Sequence, residues 1–322
     1  MRNRVSKFCT IMYKRTSRII KALLGNIIKL TEKNPCVIMY IDGGFSSQML
    51  RYCKGMWFQE RGLDVKFDLR WYEKNGLDDM GVEARTWRLN ECFPELKIDV
   101  ASCKDAERYQ CFYGTNIHKL VNRYKGKEEK LTAPLYVSTY DFDYLVSFKE
   151  CPKYFNWQGM YSLLDDRAKT IAKEIMHQKK MGKKVIGVHV RRGDMAVSGS
   201  YWKVLTAHYF EAAINKIATK NSIIYFFSNG FDFVKDEILP CIKNEYVLVD
   251  NGFKDFEDIY LYSLCNVQVA SQGSWGELAY CFNEDEERML FIPDYSATQD
   301  YETCDNGKIV YLHLEKSMYL HS

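Results

Sequence analysis

From residue 185 onward the chain alternates two signals that few architectures satisfy together. Short apolar runs at Val185–Val190, Ile223–Phe227, Val247–Val249, Val267–Ala270 and Met289–Ile292 read as strands. Helix-compatible segments fit between most of them. Strands joined by helical crossovers predict a parallel, doubly wound α/β sheet. The first half carries the same signals more sparsely. "PCVIMYIDGG" reads as a strand ending in a glycine turn, "QMLRYCKGMWFQERG" as the helix after it, and "LDVKFDL" and "APLYVSTY" as further strands. The stretch from about residue 71 to 130 reads as short helices and loops. "LLDDRAKTIAKEIMHQKKMG" is a helix suited to carry the chain between domains.

A length of 322 residues fits two domains, expected at 34–165 and 166–322 behind a separate segment, 1–33. That segment holds nine Lys or Arg against Glu32 alone, a formal +8, which leaves −5 for the rest of a chain whose total is +3. A basic head on an acidic body argues against a general nucleic-acid binder. Within the head, Ile19, Ile20, Leu23, Leu24, Ile27 and Ile28 recur at helical spacing between basic residues, a pattern suited to an anionic membrane surface or to packing on its own domain. No apolar run reaches the ~20 residues of a membrane span. Eleven cysteines, an odd number without Cys-x-x-Cys spacing, read as reduced cytosolic thiols.

The polar segments after the later strands carry the chemistry. Arg191-Arg192-Gly193-Asp194 follows the first, Ser228-Asn229-Gly230 the second, Asp250-Asn251-Gly252 the third and "SQGSWGE" the fourth. In open α/β sheets ligands bind beyond the carboxyl ends of the strands. Ser274 and Glu277 have capping-box spacing, which predicts a helix start with free backbone N–H groups. Two arginines there suit a diphosphate, held by forked hydrogen bonds. The alternative is an Arg–Asp surface pair. The phosphate-loop pattern G-x-x-x-x-G-K-[ST] is absent, which disfavours a nucleoside triphosphatase.

"VHVRRGD" resembles the H-x-R-R-x-D signature of the α-1,2-fucosyltransferases, glycosyltransferase family 11. "DGGFSSQMLRYCKG" resembles that family's G-G-L-G-N-Q-M-F-Q-Y-A segment, with Ser47 in place of asparagine. "LNECFPE", "KYFNW" and "YFFSNGFDFVK" resemble later stretches in the same order. "DIYLYSLCNVQVASQGSWGELAYCFN" resembles the family's segment around S-S-F-S-W-W-G-A, with one tryptophan fewer. The resemblance runs from about Gly43 to Pro293 and leaves out the basic head.

The resemblance implies an α/β, GT-B-like fold: two Rossmann-like domains facing across a cleft. It implies transfer of L-fucose from GDP-fucose, with inversion, to the 2-hydroxyl of a terminal galactose in a surface glycan or its lipid-linked precursor. Animal members of the family carry a Golgi membrane anchor, so the missing span points to a bacterial-type enzyme, cytoplasmic and peripheral on the inner membrane face. His189, Arg191, Arg192 and Asp194 become the donor signature, with Arg191 on the β-phosphate and Ser228, Asn229, Ser271, Ser274 and Trp275 beside it. Gly43, Gly44, Ser47 and Gln48 fall on the acceptor side, with Asp42 as candidate base. No cofactor is expected. Asp141 and Asp143 form a D-x-D pair, which reads as a surface turn rather than a metal motif. A transferase using another nucleotide sugar, and a catalytically silent sugar-nucleotide-binding protein at a membrane, are the alternatives.

Overall fold

The computed structural model describes residues 20, 23–24, 27, 31–74, 76–77, 81, 84–110, 135–138, 146–196, 204–250, 252, 254–294 and 309–320. By contacts the chain divides into two units, one of residues 1–76 and 95–147, the other of 77–94 and 148–322. Residue 165, where the sequence suggests a boundary, is the N-cap of a helix in the second unit.

The first unit holds a three-stranded parallel sheet, β1 (Val37–Tyr40), β2 (Val65–Asp68) and β3 (Leu135–Val137), in the order β2-β1-β3. Val37, Ile38 and Met39 are completely buried on consecutive positions, as a central parallel strand covered on both faces requires. Helix α1 (Phe45–Gln59) follows β1 and packs on β1 and β2. At the end of β2 the buried Asp68 accepts two 2.8 Å bonds from Arg70 and one of 2.8 Å from Tyr136. Burial alone would raise the Asp68 carboxyl. The Arg70 and Tyr136 hydrogen bonds outweigh it and hold the carboxyl below its usual range. Helix α2 (Cys103–Tyr109) is capped by Ser102, whose hydroxyl accepts from the Asp105 N–H.

The second unit holds six parallel strands: β4 (Lys184–Val190), β6 (Ser222–Ser228), β7 (Glu245–Leu248), β8 (Val267–Val269), β9 (Met289–Asp294) and β10 (Ile309–His313). Their order is β10-β9-β8-β4-β6-β7. The chain builds outward from β4 through β6 to β7, returns to the other side of β4 at β8, and builds outward again. The switch point therefore lies between β4 and β8. The intervening β5 (Val204–Leu205) pairs antiparallel with β11 (Tyr319–Leu320). Helix α3 (Asp166–Lys180) precedes β4. The Asp165 carboxylate accepts from the Ala168 N–H at 2.8 Å, and Ala168, Ala172 and Ile175 form its buried stripe. Helices α4 (Ala207–Ile217), α5 (Asp255–Ser263) and α6 (Trp275–Cys281) are the later crossovers. Ile186, Val188, Ile224, Phe226, Val267 and Val269 form the middle of the main core.

Both units are parallel α/β, and a pair of such units is the GT-B-like make-up that the family resemblance implies. All five strands expected after residue 184 begin and end within two residues of expectation. β7 is displaced toward Glu245, because an edge strand tolerates the exposed Glu245 and Tyr246. β5, β10 and β11 have no counterpart in the sequence reading.

Candidate active site

β4 ends at Val190, and Arg191 and Arg192 leave the sheet on either side of the next turn. The Arg191 N–H donates to the Ser271 hydroxyl at 2.9 Å, and that hydroxyl donates to the His189 carbonyl at 2.7 Å. The loop after β8 is thus tied to the loop after β4 across the switch point, where open α/β sheets form their ligand crevice. On the other flank the Arg192 N–H donates to Asn229 Oδ1 at 2.7 Å. Ser228 donates to the Val190 carbonyl at 2.7 Å and accepts from the Gly230 N–H at 2.9 Å. Three of the four polar segments singled out in the sequence are therefore one hydrogen-bonded unit.

The two arginines have different roles in this geometry. Arg192 Nη1 donates to the Leu205 carbonyl at 2.9 Å, and its guanidinium lies 3.8 Å from the centre of the Phe233 ring. Burial lowers its pKa, though a guanidinium remains a cation. A Cβ on Gly230 would lie 2.7 Å from the Arg192 Cβ, so only glycine lets the β6 loop pass there. Arg192 is consumed in joining loops. Arg191 is half-buried, and its Nη1 lies 3.1 Å from where a Cβ on Gly273 would stand. Gly273 has φ of 102°, a conformation that L residues rarely adopt.

His189 stacks on Trp275 with centroids 4.2 Å apart and planes at 24°, and Tyr262 stands edge-on at 6.4 Å. Burial, then the positive charge of Arg191, push the imidazole down to about 3, so it is neutral at physiological pH. Its Nδ1 is buried without a hydrogen-bond partner among the described residues. His189 and Trp275 thus form an uncharged aromatic wall beside Arg191. Ser274 is the N-cap of α6, but the capping box expected from its spacing is absent. Ser274 is itself helical, with φ −81° and ψ −8°, and its side chain makes no cap bond. Glu277 is instead half-buried, and burial raises its carboxyl. Gly193–Ala196 form a single 3-10 turn that includes Asp194.

The expected acceptor-side residues cluster separately, in the first unit. Gly43 has φ of 79°, and its carbonyl accepts from the Tyr72 hydroxyl at 3.0 Å and from Gln48 Nε2 at 3.5 Å. Gly44 is the N-cap of α1, and Ser47 and Gln48 lie in its first turn. Asp42 pairs with the buried Arg51 at 3.5 Å. Asp141 and Asp143 lie outside the described residues.

The sequence reading missed Phe233, the Leu205 carbonyl and Asp258. Gly230 and Gly273 carry no signal for these, although each clears space for an arginine, Arg192 and Arg191 respectively. Asp258, on the first turn of α5, has a buried Oδ1 without a hydrogen-bond partner among the described residues. Burial first, then Glu257 and Asp255, push its carboxyl up to about 8 from 3.8. Between those values the folded state holds a proton that the unfolded state releases, so this group's contribution to stability falls as pH rises through that window. Asp258→Asn is expected to match wild type in Tm near pH 4 and to exceed it at about pH 8. Equal Tm differences at both pH values would refute the protonated assignment.

A doubly wound parallel sheet with cationic and polar loops joined over its switch point defines a Rossmann-like ligand-binding domain. The family model for glycosyl transferase family 11 matches residues 144–309, just over half of the chain, and the chain belongs to that family. No curated protein matches the sequence. Among solved structures the chain is similar to the fucosyltransferase NodZ from Bradyrhizobium, at 13% identity and a TM-score of 0.43, over 77% of this chain and 92% of that one. It is also similar to a family 9 glycosyl transferase from Veillonella parvula, at 12% identity and a TM-score of 0.41, over 88% of each chain.

Proposed function

We propose that this glycosyltransferase moves L-fucose from GDP-fucose to the 2-hydroxyl of a terminal galactose, with inversion, in a surface glycan or its lipid-linked precursor. The observation that carries the reading is Arg191, the first arginine of the H-x-R-R-x-D signature, set at the β4–β8 switch point against Gly273. As the bond between fucose and diphosphate breaks, negative charge accumulates on the β-phosphate. A guanidinium already positioned there stabilises the transition state more than the ground state, and its setting needs no rearrangement during the reaction. The neutral His189–Trp275 wall adds a flat surface beside that charge. Ser228, Asn229, Ser271 and Ser274 shape the donor loops. The Gly43–Gln48 turn is assigned to the acceptor, with Asp42 as the base that receives the 2-hydroxyl proton. The test is transfer of labelled fucose from GDP-fucose to a panel of β-galactosides, with the product linkage read by NMR. A product linked elsewhere, or donor binding without turnover, overturns the proposal.

In this reading the arginine charge replaces a divalent ion. Transfer is expected to continue at an undiminished rate in excess EDTA. Loss of activity with EDTA and recovery on adding Mn²⁺ or Mg²⁺ would show a metal-dependent enzyme.

We further propose peripheral contact with the inner face of a membrane through residues 1–33. Ile20, Leu23, Leu24 and Ile27 are helical and between 43% and 58% exposed, on a segment of formal charge +8. Among the described residues, no helix is long and apolar enough to cross a membrane. Replacing these four residues by serine is expected to abolish co-sedimentation with vesicles rich in phosphatidylglycerol and to leave turnover on a soluble acceptor unchanged. Unaltered co-sedimentation would remove the membrane role.

A further inference from the structure

The second unit has a groove of about 660 Å³ that the proposed transfer does not use. It lies where three crossovers end: α3 closes at Lys180 just before β4, α5 at Ser263 before β8, and α6 at Cys281 before β9. This is the amino edge of the parallel sheet. Arg191 lies at the carboxyl edge, beyond the seven residues of β4, roughly 20 Å away. The groove is therefore a separate place on the same unit, and its volume is that of a small-ligand site.

Its walls differ in chemistry. Trp157, Tyr161, Tyr260 and Phe282 give an aromatic floor. Trp157 stacks on Phe282 at 4.1 Å and is fixed by a 3.0 Å bond from its Nε1 to the Ser263 hydroxyl, while Tyr260 lies within 6.4 Å of both Trp157 and Tyr161. The facing wall is one stripe of α3, where Lys173, Met176, His177 and Lys180 follow one another at i, i+3, i+4 and i+7. Met176 is 43% exposed there, an apolar side chain held open to solvent. Lys179 is committed elsewhere, to Asp285 at 3.0 Å and to the Leu264 carbonyl at 3.0 Å, where it offsets the negative end of α5. Lys173 and Lys180 form no ion pair with any described residue, and Glu284 is the remaining acid of the lining. The rim carries net positive charge over an aromatic floor.

We propose that this groove binds an acidic sugar, a uronate within a glycan chain, as an anchoring site apart from the transfer site. A pyranose offers an apolar C–H face to an aromatic ring and a hydroxyl edge to polar groups. Its carboxylate meets the two lysines in charge-assisted hydrogen bonds. The choice of a glycan over an acidic peptide rests on the glycosyltransferase assignment. The charge and the floor rest on the groove alone.

The experiment is calorimetric titration of the full chain with a tetrasaccharide of alternating glucuronic acid and N-acetylglucosamine. The controls are its carboxyl-reduced neutral counterpart and a tetraglutamate peptide. Binding of the acidic tetrasaccharide is expected, with no change when GDP is saturating or when Arg191 is replaced by alanine. Lys173→Gln with Lys180→Gln is expected to weaken it at least about tenfold, and Tyr161→Ala several-fold, with GDP affinity intact in each. GDP affinity also reports that the variants are folded. No binding to wild type, equal binding of the neutral sugar or of the peptide, or displacement by GDP would each overturn the proposal. A failed galactoside assay with an intact tetrasaccharide titration would overturn only the transfer reading.

Discussion

Arg191→Ala is expected to lower fucose transfer by about 10²–10³-fold, the loss seen when one preorganised donor to a developing anion is removed. Its Tm is expected to stay near wild type, because the Arg191 link to Ser271 runs through the backbone N–H and survives the substitution. Arg192→Ala is expected to behave differently. It removes a 2.9 Å bond to the Leu205 carbonyl and a guanidinium stacked 3.8 Å from the Phe233 ring, so Tm should fall by roughly 3–8 °C. Turnover per folded molecule should fall less than in Arg191→Ala. The pair is read by thermal melts and by kcat measured at saturating donor. If Arg192→Ala gave the larger kcat loss at unchanged Tm, the roles of the two arginines would be reversed. If both retained wild-type turnover, neither would contact the phosphate. Arg191→Lys is a further check, since lysine keeps the charge without the planar fork and is expected to recover only part of the rate.

That two neighbouring arginines divide their work was not legible in the sequence. A dipeptide shows type and order, and the placement of both at a strand's carboxyl end followed from the apolar run before them. The division depends on partners 13 and 41 residues away, Leu205 and Phe233, that carry no motif of their own. β4, β6 and β8 were legible because burial on both faces makes a parallel strand a continuous apolar run, as in Val185–Val190. β10 follows a stretch outside both the expected pattern and the family resemblance, and its residues are mostly half-buried, so its alternation is weak. β5 and β11 are two residues each, too short for any period to register. The capping box at Ser274 failed for a conformational reason. After Gly273, at φ of 102°, Ser274 takes αR rather than extended dihedrals, and its side chain makes no cap bond. The family resemblance makes His189 part of the donor signature. Its stacking on Trp275 could not be seen, because 86 residues separate the two rings along the chain.

Gly273→Ala is expected to reproduce most of the Arg191→Ala defect without touching an ionisable group. Two effects coincide at this position. At φ of 102° an alanine is strained by about 1–3 kcal/mol, which the loop relieves by shifting. The added methyl would also stand 3.1 Å from the Arg191 Nη1, tighter than ordinary van der Waals contact, so the guanidinium must move as well. Both shifts act on the same group, and a combined misplacement of about 1 Å at a catalytic group can cost about 10²-fold in rate. Turnover is therefore expected to fall by about 10²-fold, while strain confined to one loop lowers Tm by only a few degrees. Coupling is the decisive readout. If Gly273 acts by holding Arg191 in place, adding Gly273→Ala to Arg191→Ala should cost little more than Arg191→Ala alone, a departure from additivity of about 2 kcal/mol or more in the double-mutant cycle. Additive losses would mean that Gly273 shapes the site by another route, through Ser274 and the start of α6. A Gly273→Ala variant with wild-type kcat would show that Arg191 has room to stand elsewhere during the reaction.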